Sequence, residues 1–332
     1  MHHFTRLQFF LLVTLAVFYG LLDRVTADCT SSQTVSSEAD LATAVICAQN
    51  GNTNEILINS NIEISETIEV IHVTNLTIKG ITATAGLEYS IESQRRRLIQ
   101  IMNSSITFEY LMFLGDPVAG CFEISNSHAD MRGVQIQSLP NTFVLIRNNG
   151  LGMYLLNSTV IMEDSVVSGW KSANQGSGVF LEIGSDLTMS RTTFMDNAAL
   201  LSGGGAYISN GCTLLILDNS RFVSNSALRS GGAVNMLSSS LNVLWINDTT
   251  FVNNSAMNGG ALSVETSIIE GGRDIFTFNI NNVSFYRNSA GSQGGGLQLL
   301  AGGILNNVTC DSNSAGEAGV CPIICHHRFL LY

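Results

Sequence analysis

The chain has 332 residues, 45% apolar and 12% charged, with 31 glycines and 3 prolines; it is too apolar for a disordered polymer and long enough for a sizeable core. A formal charge of −11 argues against a nucleic-acid partner, which needs a basic face. Neither lysine, Lys79 nor Lys171, follows a glycine, so a phosphate-cradling Gly-Lys-Ser/Thr loop is absent.

In chain order the first element is an address. Arg6 precedes an apolar run from Phe9 to Leu22, and Val25-Thr26-Ala27 supplies the small residues of a cleavage site. Residues 1–27 read as a signal peptide, because about 20 apolar residues are needed to span a bilayer. No later stretch is long enough to span, so the expected product is secreted, with no transmembrane segment after cleavage. Residues 28–52 form the next unit. Ser37-Glu38-Ala39-Asp40 caps a helix to about Gln49, with Leu41, Val45 and Ala48 on one face and Asn50-Gly51 as the stop.

Export through an oxidising compartment makes the cysteines readable as disulfides. They are Cys29, Cys47, Cys121, Cys212, Cys310, Cys321 and Cys325, and no pair has Cys-x-x-Cys spacing. Cys29 with Cys47 is the preferred bridge, pinning the helix; Cys310 pairs with Cys321 or Cys325. The odd count leaves at least one thiol out.

Residues 53–320 carry a repeat. Phe194-x-x-Asn197 is followed by Gly204-Gly205-Ala206, and the phrase returns at Phe222/Asn225, Phe251/Asn254 and Phe285/Asn288, each with its glycine pair; Cys310/Asn313 begins a fifth copy. Successive copies are 28, 29, 34 and 25 residues apart. Inside each unit apolar residues alternate with period two, as in Ala206–Ile208 and Thr213–Leu217, which reads as short strands and turns. A unit this small cannot bury its apolar face alone, so neighbours stack. The expected fold class is all-β, a single-stranded parallel β-helix with a short N-terminal capping helix. About nine coils at ~4.8 Å each make a rod of roughly 45 Å. Phe194, Phe222, Phe251 and Phe285 then form an internal aromatic column, and Asn197, Asn225, Asn254, Asn288 and Asn313 an amide ladder. Residues 321–332 are an apolar tail that either folds over the last coil or marks a truncated chain.

The paired Phe-x-x-Asn and Gly-Gly-Ala motifs resemble the repeats of chlamydial polymorphic outer membrane proteins. They are also similar to secreted eukaryotic proteins of the pectin-lyase-like, right-handed β-helix class. The resemblance is strong over 194–315 and only architectural over 53–190. It implies an extracellular or surface protein, with adhesion the role of the chlamydial relatives. No C-terminal membrane barrel is evident.

Polysaccharide lyases, hydrolases and epimerases share this architecture and give the alternative reading. The Asn-x-Asp, Asp-Asp, Gly-His-Gly and Arg-x-Lys motifs of the pectin hydrolases are missing, as is the Arg-x-Pro of pectate lyases. The remaining catalytic candidates are Asp164, Asp196 and Asp218, if successive coils bring them to one face; the competing reading makes them solvated corners, with Asp218 aligned to Asn247, Asn281 and Asn306. No cofactor or metal is expected. His72 and His128 read as surface or packing residues. His326-His327 lies beside Cys321 and Cys325 at the wrong spacing for zinc. Arg95-Arg96-Arg97 reads as a solvated loop rather than a patch for an acidic glycan. Acceptor tripeptides for N-glycosylation occur at Asn75, Asn103, Asn157, Asn247, Asn253, Asn282 and Asn307. The expected partner is an extracellular protein or polysaccharide meeting one long face of the rod.

Overall fold

Period-two alternation becomes strands stacked in parallel along one axis. The computed structural model describes residues 29–89, 97–139, 149–238, 242–266, 277–300, 303–317, 319 and 330–331; the expected leader, Arg95, Arg96, Cys321, Cys325, His326 and His327 lie outside them. The chain is an all-β parallel solenoid of about nine turns. Each turn contributes one strand to a nine-stranded sheet and up to two to a long nineteen-stranded sheet; six turns add a short strand to a third sheet. One complete turn runs Val179–Glu182, Asp186–Ser190, Thr193–Met195 and Ala198–Ala199 before Ala206–Ile208 starts the next.

The register brings the phenylalanines into one file: Phe194 opposite Phe222, Phe222 opposite Phe251, Phe251 opposite Phe285, and Phe285 opposite Cys310. Their rings stack with centroids 5.3, 5.0 and 4.9 Å apart. Upstream, where the repeat degenerates, Phe108, Phe113 and Phe122 instead meet edge to face, so the aromatic file is confined to the regular repeats.

Three corners turn the chain between strands, and each uses a residue with left-handed backbone. The corner entering the long sheet holds Asn103, Asn126 and Asn157; the corner within it holds Tyr110, Gly133, Asp164, Arg191 and Asp248; the corner leaving it holds Asp196, Ser224, Asn253 and Arg287. After each corner residue a side chain turns inward; after Tyr110 and Gly133 it is apolar, whereas after Asn103, Asn126, Asn157, Asp164, Arg191, Asp196, Ser224, Asn253 and Arg287 it is polar and accepts an N–H from the adjacent coil. At the exit corner this is the amide ladder. Asn197 donates to Asn225 at 3.0 Å, Asn225 to Asn254 at 3.1 Å, Asn254 to Asn288 at 3.0 Å and Asn288 to Asn313 at 3.0 Å. The other carboxamide N–H of each goes to a backbone carbonyl such as that of Phe194 or Phe222.

The other two corners carry hydroxyl ladders. The N–H groups of Ser104, Ser127 and Ser158 donate to the hydroxyls of Ser127, Ser158 and Ser185. Those of Val134, Ser165 and Thr192 donate to Ser165, Thr192 and Ser220. Buried backbone donors thus find partners where no strand pairing reaches them.

Both ends of the rod are covered in part. The helix Glu38–Gln49 is capped by the Ser37 hydroxyl, which accepts from the Asp40 N–H at 3.2 Å, and buries Leu41, Ala44, Val45 and Ala48. It packs on the strands Ile68–Ile71 and Asn61–Ile64 of the first turns, and Cys29–Cys47 ties it to the segment that precedes the strand Ser32–Val35. Glu38 fastens it further, accepting from the N–H groups of Ser65 at 2.7 Å and Glu66 at 3.0 Å and from the Ser65 hydroxyl at 2.7 Å. At the other end Leu330–Leu331 adds a strand beside Ile304–Leu305. Cys310 is disulfide-bonded; its two expected partners lie outside the described residues.

Candidate functional site

The three aspartates do not share a face. Asp164 sits at the corner inside the long sheet, where Arg191 of the next turn grips it with Nε at 2.7 Å and Nη2 at 3.1 Å. That hydrogen bond holds the exposed Asp164 carboxyl below its ordinary value. Arg191 also donates to the Ser190 hydroxyl at 2.9 Å, which donates to Asp218 at 2.9 Å. An arginine therefore stands between two of the candidate carboxylates. Asp196 belongs to the exit corner, across a strand from them.

Asp218 also departs from its expected column. Ile216 lies opposite Ile246 and Arg221 opposite Thr250, so the earlier turn fits four residues where the later one fits three. Asp218 and Asn219 share one corner, both left-handed, and Leu217, not Asp218, falls beside Asn247. Asn247, Asn281 and Asn306 form their own file, with Asn281 donating to Asn247 at 2.6 Å and Asn306 to Asn281 at 2.8 Å. The corner file next to it is Asp248, Asn282 and Asn307, linked by carboxamide donation in the same direction.

The acceptor tripeptides occupy two positions in register: Asn282 and Asn307 share a corner, whereas Asn247 stands one residue earlier on a strand, opposite Asn281. Asn75, Asn103, Asn157, Asn253, Asn282 and Asn307 all have left-handed backbone and are exposed. Asparagine tolerates that conformation better than most residues. The next residue turns inward and the one after begins an outward strand position that Ser and Thr suit, so the corner geometry itself generates Asn-x-Ser/Thr.

Between the entry and inner corners the long sheet presents a shallow groove of about 380 Å³ lined by Leu217, Trp245, Asn247, Asn279, Asn281, Ile304 and Asn306. Trp245, Asn279 and Ile304 are register neighbours on successive turns, and Trp245 is 48% exposed. None of the lining residues is charged.

A second cluster lies on the nine-stranded sheet. Arg97 is not solvated as expected: its guanidinium donates to the backbone carbonyls of Asn149 at 3.0 Å and of Phe122 and Leu151 at 3.3 Å, and also to that of Gly150. It rests 5.9 Å from the Tyr154 ring centroid. The Tyr154 hydroxyl donates to Glu182, and burial, that bond and the charges of Glu182 and Glu123 push the phenol up to about 12. Tyr154, Phe180 and Tyr207 continue this file as parallel stacked rings. His128 stands 3.1 Å from Asp130, and His72 is an exposed turn residue. Cys121 and Cys212 are free and buried, and burial raises both thiols. Among the described residues no group of three His, Cys, Asp or Glu side chains is placed to hold a metal, and no helix is long and apolar enough to cross a membrane.

Sequence reasoning missed the hydroxyl ladders, although Asn-Ser recurs at Asn103-Ser104, Asn126-Ser127 and Asn157-Ser158. It also missed the groove, whose residues share no recurring letter.

Residues 248–265 match the Chlamydia polymorphic membrane protein repeat; they contain one turn's Phe251-x-x-Asn254 and Gly259-Gly260-Ala261. Among solved structures the chain is similar to the Streptococcus pneumoniae surface protein and adhesin PfbA, at 11% identity and a TM-score of 0.35, over 88% of this chain and 96% of that chain. No curated protein matches.

Proposed function

We propose that this is an extracellular or cell-surface, non-enzymatic β-helix that presents its long sheet to a protein or glycan partner, as an adhesin does. The observation that carries the reading is the nineteen-stranded parallel sheet, a stiff surface whose outward side chains repeat at the coil spacing of about 4.8 Å. The match of residues 248–265 to the polymorphic membrane protein repeat and the Cys29–Cys47 disulfide support exposure outside the cytoplasm. The test is binding of the labelled full chain to cell surfaces, immobilised matrix proteins and a glycan array. Saturable binding that competes with unlabelled chain is the expected result; binding to none of these surfaces refutes it.

A second reading, a diverged polysaccharide lyase, hydrolase or epimerase, is favoured by the Arg97, Glu123, Tyr154 and Glu182 cluster, where one phenol is strongly perturbed. Its test is turnover of uronic-acid polymers with and without calcium. Activity lost on Tyr154→Phe or Glu182→Gln would establish it. Activity lost on Asp164→Ala or Asp218→Ala would return the chemistry to the corner aspartates.

A further inference from the structure

The groove on the long sheet has a composition that selects among ligands. Its backbone groups are already committed: the strands Val243–Val252, Thr277–Tyr286 and Gly303–Asp311 pair with one another along nearly their whole length. A peptide adding itself as a strand has no free N–H or C=O to meet on this face. The lining holds no cation, the adjacent corner carries Asp248, and the chain is net negative. Polyanions, including uronic-acid polymers and nucleic acids, are therefore repelled.

What the groove does offer is an aromatic surface beside carboxamides with unused bonding capacity. The Trp245 indole is half-exposed, with Ile304 two turns away at 38% exposure. Asn279 lies between them in register, and among the described residues its half-buried carboxamide has no hydrogen-bond partner. In the neighbouring file Asn281 and Asn306 each spend one N–H on the previous turn, and Asn247 spends one on Asp248 at 2.6 Å. A carboxamide has two N–H donors and two acceptor lone pairs, so each keeps a donor for a ligand. Uncharged, planar donor-acceptor groups repeating beside an indole suit a molecule with an apolar ring face and many neutral hydroxyls.

We propose that this groove binds a neutral oligosaccharide, one sugar ring stacked on Trp245 and its hydroxyls bonded to Asn279 and the Asn247, Asn281 and Asn306 file. The proposal rests on the surface-binding function above and names its ligand class.

The chain carries a built-in reporter. It has two tryptophans; Trp170 is fully buried and Trp245 is 48% exposed, so iodide quenches Trp245 selectively. The full chain is exported to a bacterial periplasm, where disulfides form and no N-glycan is added to Asn247. It is then titrated with maltotriose, cellotriose, chitotriose and mannotriose, with trigalacturonate as the anionic control. The expected result is that at least one neutral trisaccharide shields Trp245 from iodide and shifts its emission to the blue, while trigalacturonate does neither. The Asn279→Ala/Asn281→Ala variant keeps the indole and loses about tenfold or more in affinity, a difference of about 1.4 kcal/mol or more. The proposal is overturned if no neutral trisaccharide shields Trp245 at millimolar concentration, if trigalacturonate shields it equally, or if the double variant binds unchanged.

Trp245→Ala separates the two levels. If the full chain binds cells or matrix and Trp245→Ala binds equally, the groove proposal falls and the surface function stands. If neutral sugars shield Trp245 while the chain binds no surface, the surface function falls and the groove stands.

Discussion

Asn254 sits in the middle of the amide ladder with no exposure, and its replacement by alanine tests whether the ladder holds the turns together. Its Oδ1 accepts from the Asn225 N–H at 2.9 Å and from the Asn225 carboxamide at 3.1 Å; its Nδ2 donates to the Phe222 carbonyl and to Asn288, both at 3.0 Å. Four buried hydrogen bonds at about 1 kcal/mol net each, with the Asn225 N–H left without an acceptor in a dry interior, give an expected loss of about 4–6 kcal/mol. Asn313, at the ladder's end and 8% exposed, also serves Asn288 and the Phe285 carbonyl. Water can replace part of what it supplies, so Asn313→Ala is expected to cost about 2 kcal/mol. Asn254→Ser restores an acceptor of the kind seen in the hydroxyl ladders and should recover part of the loss. Denaturant titration compares the variants, and native-state hydrogen exchange at the Asn225 amide localises the effect. Asn254→Ala within about 1 kcal/mol of the wild type, or no costlier than Asn313→Ala, would refute the argument.

Three further outcomes follow from the same packing. At Gly232 an added Cβ would run into the carbonyl oxygens of Gly260 and Ser255, whereas at Gly211 the nearest group is 3.8 Å away; Gly232→Ala should abolish soluble expression or cost several kcal/mol, and Gly211→Ala only about 1 kcal/mol of left-handed strain. For Glu38, burial raises the carboxyl, but hydrogen bonds from the Ser65 side chain and the Glu66 and Ser65 N–H groups outweigh it and hold it below its ordinary value. Its stabilising effect is thus present above the unfolded carboxyl's pKa and lost as pH falls through the lower folded value; proteolysis of the 29–52 segment should accelerate in that acid range, and Glu38→Gln should lose that pH dependence. Removing the Cys29–Cys47 bridge, which closes an 18-residue separation, with the Cys29→Ser/Cys47→Ser variant should cost about 3 kcal/mol in denaturant titrations; an unchanged midpoint would show that the helix holds without it.

The regular half of the rod was legible in the sequence because a parallel stack converts identical letters into neighbours, and Phe194, Phe222, Phe251 and Phe285 keep a constant distance to the following Asn. The same counting failed when run backwards from the phenylalanines. Asp218 and Asn219 crowd two residues into one corner, so a position four before Phe222 is not the neighbour of one four before Phe251. The aspartates stand at corners, as one of the two readings had them: Asp164 and Asp218 are linked through Arg191 and the Ser190 hydroxyl, and Asp196 belongs to another corner. Arg97 was misread because its acceptors are carbonyls of residues 149–151 and 122, remote in sequence and unmarked by any side-chain letter. The groove was illegible for a related reason. Trp245, Asn279 and Ile304 are three unlike residues, and only the register of the sheet makes them adjacent.

Left-handed corners that favour asparagine, followed by an inward residue and then an outward Ser or Thr, have a consequence for evolution as well as for packing. Any lineage that sends such a rod past an oligosaccharyltransferase meets acceptor sites concentrated on the rims without selecting for sugar attachment, Asn247 alone of the seven standing one residue inside a sheet. Removing a decoration is equally undemanding, since Gly133, Asp164, Asp196 and Ser224 already hold the same left-handed turn in this chain. Carbohydrate coating on this scaffold can therefore drift from turn to turn while the coil beneath it remains unchanged.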